Sequence, residues 1–398
     1  MRLTANLDRK NIFLKNTDFL FFILLFPGVF FYNFLNGKGI YMLTLGGFFT
    51  PLLLLYFFFR SFDFFYKKKS FYFSPILIVF LVLIFFMTFF NLFSYLVSSF
   101  SDNQKIMILY NTSESLFLYV GLFVFGANFR ELKKWQLKIC FMIFIVEFFC
   151  IIQNVSSYGI FEYVNVHEVS SKITFSTYQD IARGVIILLF VLFSHYDRFT
   201  VKFFLMVFGT VMLFFIGART QLIAWLLVLF VDFLFFSDKR SRIAFLAIFI
   251  ASMVYVLKNI DFFETKRIFQ LFSEKHNSSY YLRSIMLNEG LKGIVSSPIF
   301  GDYGGQVRVF GSFGSYIHNF LSAWRQYGIF GFFLYIFFIL LIFIEGIKSV
   351  IFHKNQMTKF VLYNAIYIVF VVSFSSPIFW SDPGLAAGIL YGVWRQKM

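Results

Sequence analysis

Long apolar runs separated by short polar connections dominate the sequence. Each run is close to the roughly 20 residues that a helix needs to cross a bilayer. The run nearest the N-terminus lacks the small-residue cleavage site of a signal peptide and is followed at once by another run, so we interpret it as a retained first helix. The runs lie at about 18–35, 40–59, 73–97, 106–127, 137–155, 179–195, 200–217, 220–236, 242–258, 317–345, 358–376 and 378–394. The pattern predicts an all-α polytopic integral membrane protein with about 12 transmembrane helices, forming a single transmembrane domain over 1–398.

Composition excludes the other broad classes of protein. Of the 398 residues, 59% are hydrophobic, 24% aromatic and only 14% charged, whereas soluble globular chains are about 25% charged. The 68 Phe, 6 Pro and 2 Cys do not fit a fibrous, disordered or disulfide-framework protein. Cys140 and Cys150 share one apolar run, where a helix would place them about 15 Å apart along its axis, too far for a disulfide.

The basic residues are distributed unevenly between the connections. Lys and Arg number 35 against 20 Asp and Glu. In a soluble chain this excess would suggest nucleic-acid binding, but cytoplasmic loops of membrane proteins collect Lys and Arg. Connections rich in these residues alternate with poor ones along the whole chain, which predicts twelve spans, cytoplasmic termini and no nucleic-acid partner. Twenty-two of the 35 lie in the rich connections and termini: Arg2, Arg9, Lys10, Lys15, Arg60, Lys67, Lys68, Lys69, Arg130, Lys133, Lys134, Lys138, Arg198, Lys202, Lys239, Arg240, Arg242, Lys348, Lys354, Lys359, Arg395 and Lys397.

One connection is much longer than the others. Residues 259–316, between the predicted helices 9 and 10, form a polar and basic loop that the alternation places outside. Long loops escape the positive-inside bias, so the predicted topology stands. Within the loop, apolar residues at helical spacing over 278–291 predict a surface helix, and 297–305 is a glycine-rich turn. A second polar loop, 156–178, is also predicted on the outer side. The two loops together predict that the functional surface of the protein lies outside.

Ionisable residues near the outer ends of the spans are the main candidates for function. Arg219 lies in the tight Gly217–Gln221 turn, and Arg183 lies near the outer end of the sixth span. Arginine at membrane level is costly and marks functional sites, although either side chain could instead reach lipid headgroups. Ser315 is a candidate cap that would place His318 in the first turn of span ten, where a neutral imidazole can accept a proton. The alternative is an interfacial histidine that only hydrogen-bonds a neighbouring loop.

Two carboxyl groups lie deeper in the apolar runs. We interpret Glu114 and Glu147 as polar links between helices, with a proton relay in a transporter as the alternative. No metal or cofactor is expected, because the histidines show no ligand spacing with Cys, Asp or Glu and the chain has neither a nucleotide-type phosphate loop nor a nucleophile elbow. The five histidines are His167, His195, His276, His318 and His353.

Several outer arginines suit a pyrophosphate. Guanidinium groups match phosphate oxygens bidentately. A lipid-linked pyrophosphate has its headgroup at the outer interface and is a good leaving group. Arginines can therefore stabilise its developing charge without a metal.

The chain resembles the O-antigen polymerase and ligase superfamily. The resemblance rests on the Gly217–Thr220 turn, Arg283 in the predicted loop helix, Pro298–Gly301, and His318-Asn319 followed by Gly328–Gly331. It covers the topology of the whole chain, but its specific motifs lie within 215–331. Members are bacterial inner-membrane glycosyltransferases that act on undecaprenyl-pyrophosphate-linked glycans at the periplasmic face. Eight residues separate Asn319 from Gly328, one fewer than in the ligase pattern.

The resemblance implies roles for individual residues. Arg219 and Arg283 would bind the diphosphate, and His318 would help to activate the acceptor hydroxyl. We further expect substrate contacts from Arg183, Arg325, Asn319 and Asp302, with Asp302 or Glu289 as weaker candidates for the general base.

The sequence-based hypothesis is a metal-independent polymerase of lipid-linked oligosaccharide repeat units that needs no cofactor. It would make O-antigen, capsule or exopolysaccharide from undecaprenyl-pyrophosphate-linked oligosaccharide in the inner membrane. Implied partners are membrane lipid, a chain-length regulator and a flippase. The alternatives are an O-antigen ligase that transfers glycan to lipid A core and, in another class, a polysaccharide or lipid flippase or transporter.

Overall fold

The described part of the protein is helical. A computed structural model describes residues 16–37, 49–67, 73–97, 99–153, 178–237 and 278–395, with isolated positions at 155, 242, 243, 246 and 258. These ranges contain helices and no β-strand. In chain order the helices are α1 (16–25), α2 (Pro27–Gly37), α3 (Phe49–Lys67), α4 (Pro75–Val97), α5 (Asp102–Asn128), α6 (Lys134–Ile152), α7 (Tyr178–His195), α8 (Phe199–Ile216), α9 (Arg219–Phe236), α10 (Ser278–Ser296), α11 (Gly305–Phe310), α12 (Leu321–Phe352), α13 (Gln356–Phe374) and α14 (Asp382–Arg395).

The prediction of an all-α polytopic membrane protein is confirmed. Within the described residues, nine helical segments are long and apolar enough to cross a membrane, the first of them formed by α1 and α2 together. Of the other three predicted spans, 242–258 lies almost entirely outside the described residues. The run at 40–59 is described only from Phe49, with a shorter apolar stretch at Thr50–Arg60. The run at 378–394 forms the 14-residue α14, so the count of twelve stays a prediction.

The predicted single domain contains two compact units, each discontinuous in sequence. Unit 1 comprises Met1–Asp18, Phe49–Glu131 and Tyr281–Met398, and unit 2 comprises Phe19–Phe48 and Leu132–Tyr280.

Unit 1 is built around a close, parallel pair of helices, α5 and α14. Glycines recur at every fourth position of α14, so that one face of the helix carries no side chain and the two backbones approach closely. Cβ atoms on these glycines would lie 2.5, 2.2 and 2.8 Å from carbonyl oxygens of α5; the pairs are Gly384 with Tyr119, Gly388 with Phe123, and Gly392 with Ala127. Because both residue numbers rise together, α5 and α14 run in the same direction.

This pair defines two ends of unit 1. The last turns of α5 and α14 meet at what we name the Arg395 end. At the start of α5, the Phe100 ring lies 5.8 Å from the Arg308 guanidinium, and Ile108 lies against Gly304. We name this the Asp302 end, after the carboxylate that Arg308 binds there. A 27-residue helix separates the two ends by about 40 Å.

Unit 2 is centred on α7, which is buried continuously from Val185 to His195. Gly184 allows α7 to cross α2 closely, since a Cβ there would lie 2.7 Å from the Phe26 carbonyl oxygen. The antiparallel pair α8 and α9 is joined by an ion pair in which Lys202 Nζ lies 2.8 Å from Asp232 Oδ2.

Candidate functional site

The glycine-rich turn at the Asp302 end is docked against a break in α12. The backbone N–H of Ile329 donates to the Pro298 carbonyl oxygen at 3.1 Å, and that of Asp302 donates to the Arg325 carbonyl oxygen at 2.6 Å. The break lies at Gly328, which has φ 67°. A Cβ there would lie 1.9 Å from the Ile299 carbonyl oxygen, so only glycine fits. Two motifs that carry the family resemblance, Pro298–Gly301 and Gly328–Gly331, are therefore in direct contact.

Buried polar groups hold this turn in place. Gln326 Nε2 donates to Gln306 Oε1 at 2.7 Å, and Gln326 Oε1 accepts from the Gly304 N–H at 3.0 Å. On the other side, the Tyr303 hydroxyl donates to Asn91 Oδ1, and this oxygen also accepts from Thr112 Oγ1 at 2.7 Å. The turn is thereby fixed to α4, α5 and α12. Sequence reasoning missed these groups, because isolated Gln, Asn and Tyr residues carry no motif.

Asp302 lies between two arginines. Arg308, 59% exposed, donates to Asp302 Oδ1, while Arg325 Nη2 lies 3.5 Å from Asp302 Oδ2. Arg325 is only 1% exposed, and its Nε and Nη1 have no hydrogen-bond partner among the described residues. Gly293 of α10 covers the pair, since a Cβ there would lie 2.8 Å from Asp302 Oδ2. Asp302 and Arg325 thus contact each other within the protein, and their substrate contacts stay predictions.

His318 lies just before α12. The helix begins at Leu321, whose N–H donates to Asn319 Oδ1 at 2.9 Å. The prediction that Ser315 caps this helix and places His318 in its first turn is wrong, because the chain bends through 311–320 and Asn319 caps the backbone instead. Asn319 therefore has a structural contact, and its predicted role in substrate binding stays a prediction.

The surroundings of His318 favour a neutral imidazole. Burial and the positive charge of Arg283 lower the pKa of His318 to about 4, while its contact with the Ser375 carbonyl oxygen acts in the opposite direction. Nδ1 lies 3.4 Å from that oxygen. A proton on Nδ1 leaves Nε2 with a free lone pair, which is the form that accepts a proton from a hydroxyl. The contact with the Ser375 carbonyl oxygen is also what the alternative interpretation predicts, in which His318 only hydrogen-bonds a neighbouring loop.

The structure brings His318 and Arg283 together. Arg283 lies on α10, 35 residues earlier in the chain, yet its charge acts on the imidazole. Gly290 lies seven residues further along α10, hence on the same face, and a Cβ there would lie 2.3 Å from the Ile317 side chain, next to His318. The packing of α10 on Ile317 thus accounts for the approach of Arg283 to His318.

The other two predicted arginines belong to unit 2. Gly217, with φ 72°, ends α8, and Arg219 is the first residue of α9, which confirms the predicted tight turn. Arg183 lies in the second turn of α7. The ring of Phe193, later in α7, lies 5.2 Å from that of Trp225, later in α9. Short connections reverse the chain between α7 and α8 and again between α8 and α9, so α7 and α9 run in the same direction. Arg183 and Arg219 therefore lie near the same end of unit 2.

The two deep carboxyl groups differ. Glu114 Oε1 accepts from Thr50 Oγ1 at 2.8 Å, which confirms a polar link between α5 and α3. Glu147 of α6 is 0% exposed, and neither carboxyl oxygen has a hydrogen-bond partner in the part of the chain that the structure describes. Among the described residues, the interpretation as a polar link is therefore wrong for Glu147, because α6 packs on α7 and α8 without bringing a hydrogen-bonding group to this carboxyl.

The candidate site of unit 1 consists of His318, Arg283 and the docked turn with Asp302 and Arg325. Its chemistry combines a proton acceptor with a neighbouring guanidinium at the end of a membrane-spanning helix. Comparison of the chain with protein family models and with curated proteins found no match.

Proposed function

We propose that the protein is a polymerase of lipid-linked oligosaccharide repeat units, a glycosyltransferase that uses undecaprenyl-pyrophosphate-linked glycan at the periplasmic face of the inner membrane. The observation that carries the proposal is the pairing of a neutral His318 with Arg283 beside the start of a membrane span. The proposal includes twelve spans, cytoplasmic termini and a periplasmic loop at 259–316.

In the proposed glycosyl transfer, His318 and Arg283 each have one role. The acceptor hydroxyl of a single lipid-linked repeat unit gives its proton to Nε2 of His318 and attacks the anomeric carbon of the growing chain. The bond from that carbon to the pyrophosphate oxygen breaks, and the lipid pyrophosphate leaves with the bonding electrons. Arg283 stabilises the charge that develops on the leaving oxygen. Arg219 receives the same role from the family resemblance, and Arg183 and Arg325 would assist in holding the pyrophosphate.

Substrate binding would strengthen the base. Burial is the larger cause that lowers the pKa of His318 and the positive charge of Arg283 is the second, and a pyrophosphate next to Arg283 offsets this second cause. The pKa of the imidazole then rises towards its usual range, so His318 accepts the hydroxyl proton more readily when the lipid substrate is bound. This coupling is a reason for a base and a diphosphate ligand to lie side by side.

Chain-length profiling of the cell's polysaccharide tests the proposal. Arg283→Ala and Arg219→Ala should abolish long chains and leave single-repeat caps. Lys292→Ala is the matched control, because Lys292 shares α10 with Arg283 but is 72% exposed and paired with Glu289. A normal chain-length distribution in Arg283→Ala would contradict the proposal. Unattached long lipid-linked chains in a deletion strain would identify a ligase instead.

Glu147, which has no partner within the described ranges, favours a second candidate, a transporter or flippase, since buried carboxyl groups in spans serve as proton relays. Vesicles containing the purified protein and a synthetic lipid-linked repeat separate the two functions. A polymerase lengthens the glycan, whereas a flippase moves the lipid across the bilayer without lengthening its sugar.

A further inference from the structure

Two arginines at the Arg395 end of unit 1 contact each other's helices. Arg130 follows α5, and its Nη1 donates to the Gly392 carbonyl oxygen of α14 at 3.4 Å. Arg395 ends α14, and its Nη2 donates to the Ala127 carbonyl oxygen of α5 at 3.2 Å. Arginines often bind the free carbonyl groups of a last helical turn, so these contacts help to cap the C-terminal ends of both helices. Each guanidinium has five N–H donors, of which this exchange uses one.

Neither guanidinium group forms an ion pair with a carboxylate of the described residues, and Asp18 attracts Arg130 only from beyond ion-pair distance. The nearby carboxylate, Asp18, binds Arg60 and accepts a hydrogen bond from Tyr56 at 2.9 Å. Glu131, next to Arg130 in the chain, is exposed and forms no ion pair with a described residue. Burial and then the positive charge of Arg395 lower the pKa of Arg130 to about 10, so the two side chains repel each other. A group with negative charge would relieve this repulsion.

The position of the pair indicates where that negative charge comes from. The helix Asp102–Asn128 is long and apolar enough to cross a membrane, and Arg130 lies two residues beyond its end. This is the depth of lipid headgroups, where basic pockets between helices bind anionic lipids. Arg130 and Arg395 are both half-buried, so each keeps part of its guanidinium accessible.

We propose that Arg130 and Arg395 form a binding site for the phosphate group of an anionic phospholipid. The free N–H groups of both side chains donate to the phosphate oxygens, and the acyl chains lie along the apolar outer surface of unit 1. The ligand is a structural lipid rather than a substrate. The site is therefore independent of the proposed polymerase activity and of the Asp302 end.

Lipid retention by the purified full-length chain tests the site. Native mass spectrometry of protein in mixed micelles with equal phosphatidylglycerol and phosphatidylcholine should show preferential retention of phosphatidylglycerol. Arg130→Gln/Arg395→Gln should weaken this binding about 30-fold, since each basic residue near an anionic lipid contributes about 1 kcal/mol. The control is Lys348→Gln, because Lys348 is exposed near the end of α12 and paired with Glu345.

A second measurement keeps the test decisive when the double variant unfolds. Phosphatidylglycerol should raise the melting temperature of the wild-type chain, and phosphatidylcholine should not. Equal stabilisation by both lipids, or unchanged phosphatidylglycerol retention in a folded double variant, would overturn the proposal. Inorganic phosphate that reproduces the whole effect of phosphatidylglycerol would also overturn it, because the site would then bind a free ion.

Discussion

At the scale of single residues, the environment of His318 decides what the imidazole can do. Its folded-state pKa of about 4 lies below the 6.5 of a free histidine. The unfolded chain therefore binds more protons between these values, and the contribution of His318 to stability is present above pH 6.5 and lost as the pH falls towards 4. At neutral pH the imidazole is uncharged and able to accept a proton.

Removing the charge of Arg283 should raise the pKa of His318. In Arg283→Gln the imidazole keeps its burial but loses the neighbouring cation, which in the wild-type chain lowers its pKa. Diethyl pyrocarbonate reacts with the unprotonated imidazole, and mass spectrometry can follow its addition at His318 as a function of pH. The reaction midpoint should move to higher pH in Arg283→Gln and stay unchanged in Lys292→Gln, where the lysine is already paired with Glu289. Identical midpoints in wild type and Arg283→Gln would refute the electrostatic coupling.

The two buried glutamates show where residue-scale prediction succeeds and fails. Both lie in apolar runs, and the sequence pattern treats them alike. Glu114 has a partner in Thr50 because α3 packs against α5 in unit 1. Glu147 has no hydrogen-bond partner among the described residues, and the choice between these outcomes depends on helix packing that no local pattern encodes.

At the scale of helices, the glycines of α14 determine how closely it approaches α5. Gly388→Ala should destabilise the protein by about 1–3 kcal/mol, the usual cost of overpacking, because a Cβ there would lie 2.2 Å from the Phe123 carbonyl oxygen. Gly314→Ala is the control, since its nearest heavy atom would be 3.8 Å away. Thermal unfolding in detergent should show a lower midpoint for Gly388→Ala only. Equal midpoints for the two variants would exclude the close contact between α5 and α14.

Helix existence could be predicted from the sequence better than helix ends or contacts. The apolar runs at 73–97, 200–217 and 220–236 match α4, α8 and α9 within two residues, because lipid-facing and core-facing positions are both apolar. The start of α12 differs from the prediction. Ile317 packs against α10 ahead of the helix, and Asn319 caps the backbone in place of Ser315.

The docked turn illustrates the same limit for the candidate site. Pro298–Gly301 and Gly328 were recognisable as glycine-containing motifs. Their mutual contact depends on a left-handed conformation at Gly328 and a carbonyl group 1.9 Å from where a Cβ would be. A contact of this kind between distant parts of the chain produces no periodic pattern in the sequence and could not be predicted from it.

At the scale of the whole molecule, the distribution of basic residues agrees with the predicted alternation within unit 1. Arg130 and Arg395, both from the rich connections, meet at the Arg395 end. The Asp302 end instead holds residues of the predicted outer loop, among them Arg308 and Asp302. The pairing of α5 with α14 therefore separates the residues of the rich connections from those of the predicted outer loop by the length of one helix that can span the membrane.

This separation predicts opposite accessibility for Glu131 and Gly314. Both residues are exposed, Glu131 beyond the last turn of α5 and Gly314 in the segment before α12. In a chain whose native Cys140 and Cys150 are replaced by Ala, a membrane-impermeant maleimide added to intact spheroplasts should label Gly314→Cys. Glu131→Cys should react only after the membrane is permeabilised, because the positive-inside bias places the rich connections in the cytoplasm. Reaction of both cysteines in intact spheroplasts would mean that α5 does not cross the bilayer, and the reverse order of labelling would invert the proposed orientation and remove the candidate site from the periplasmic face.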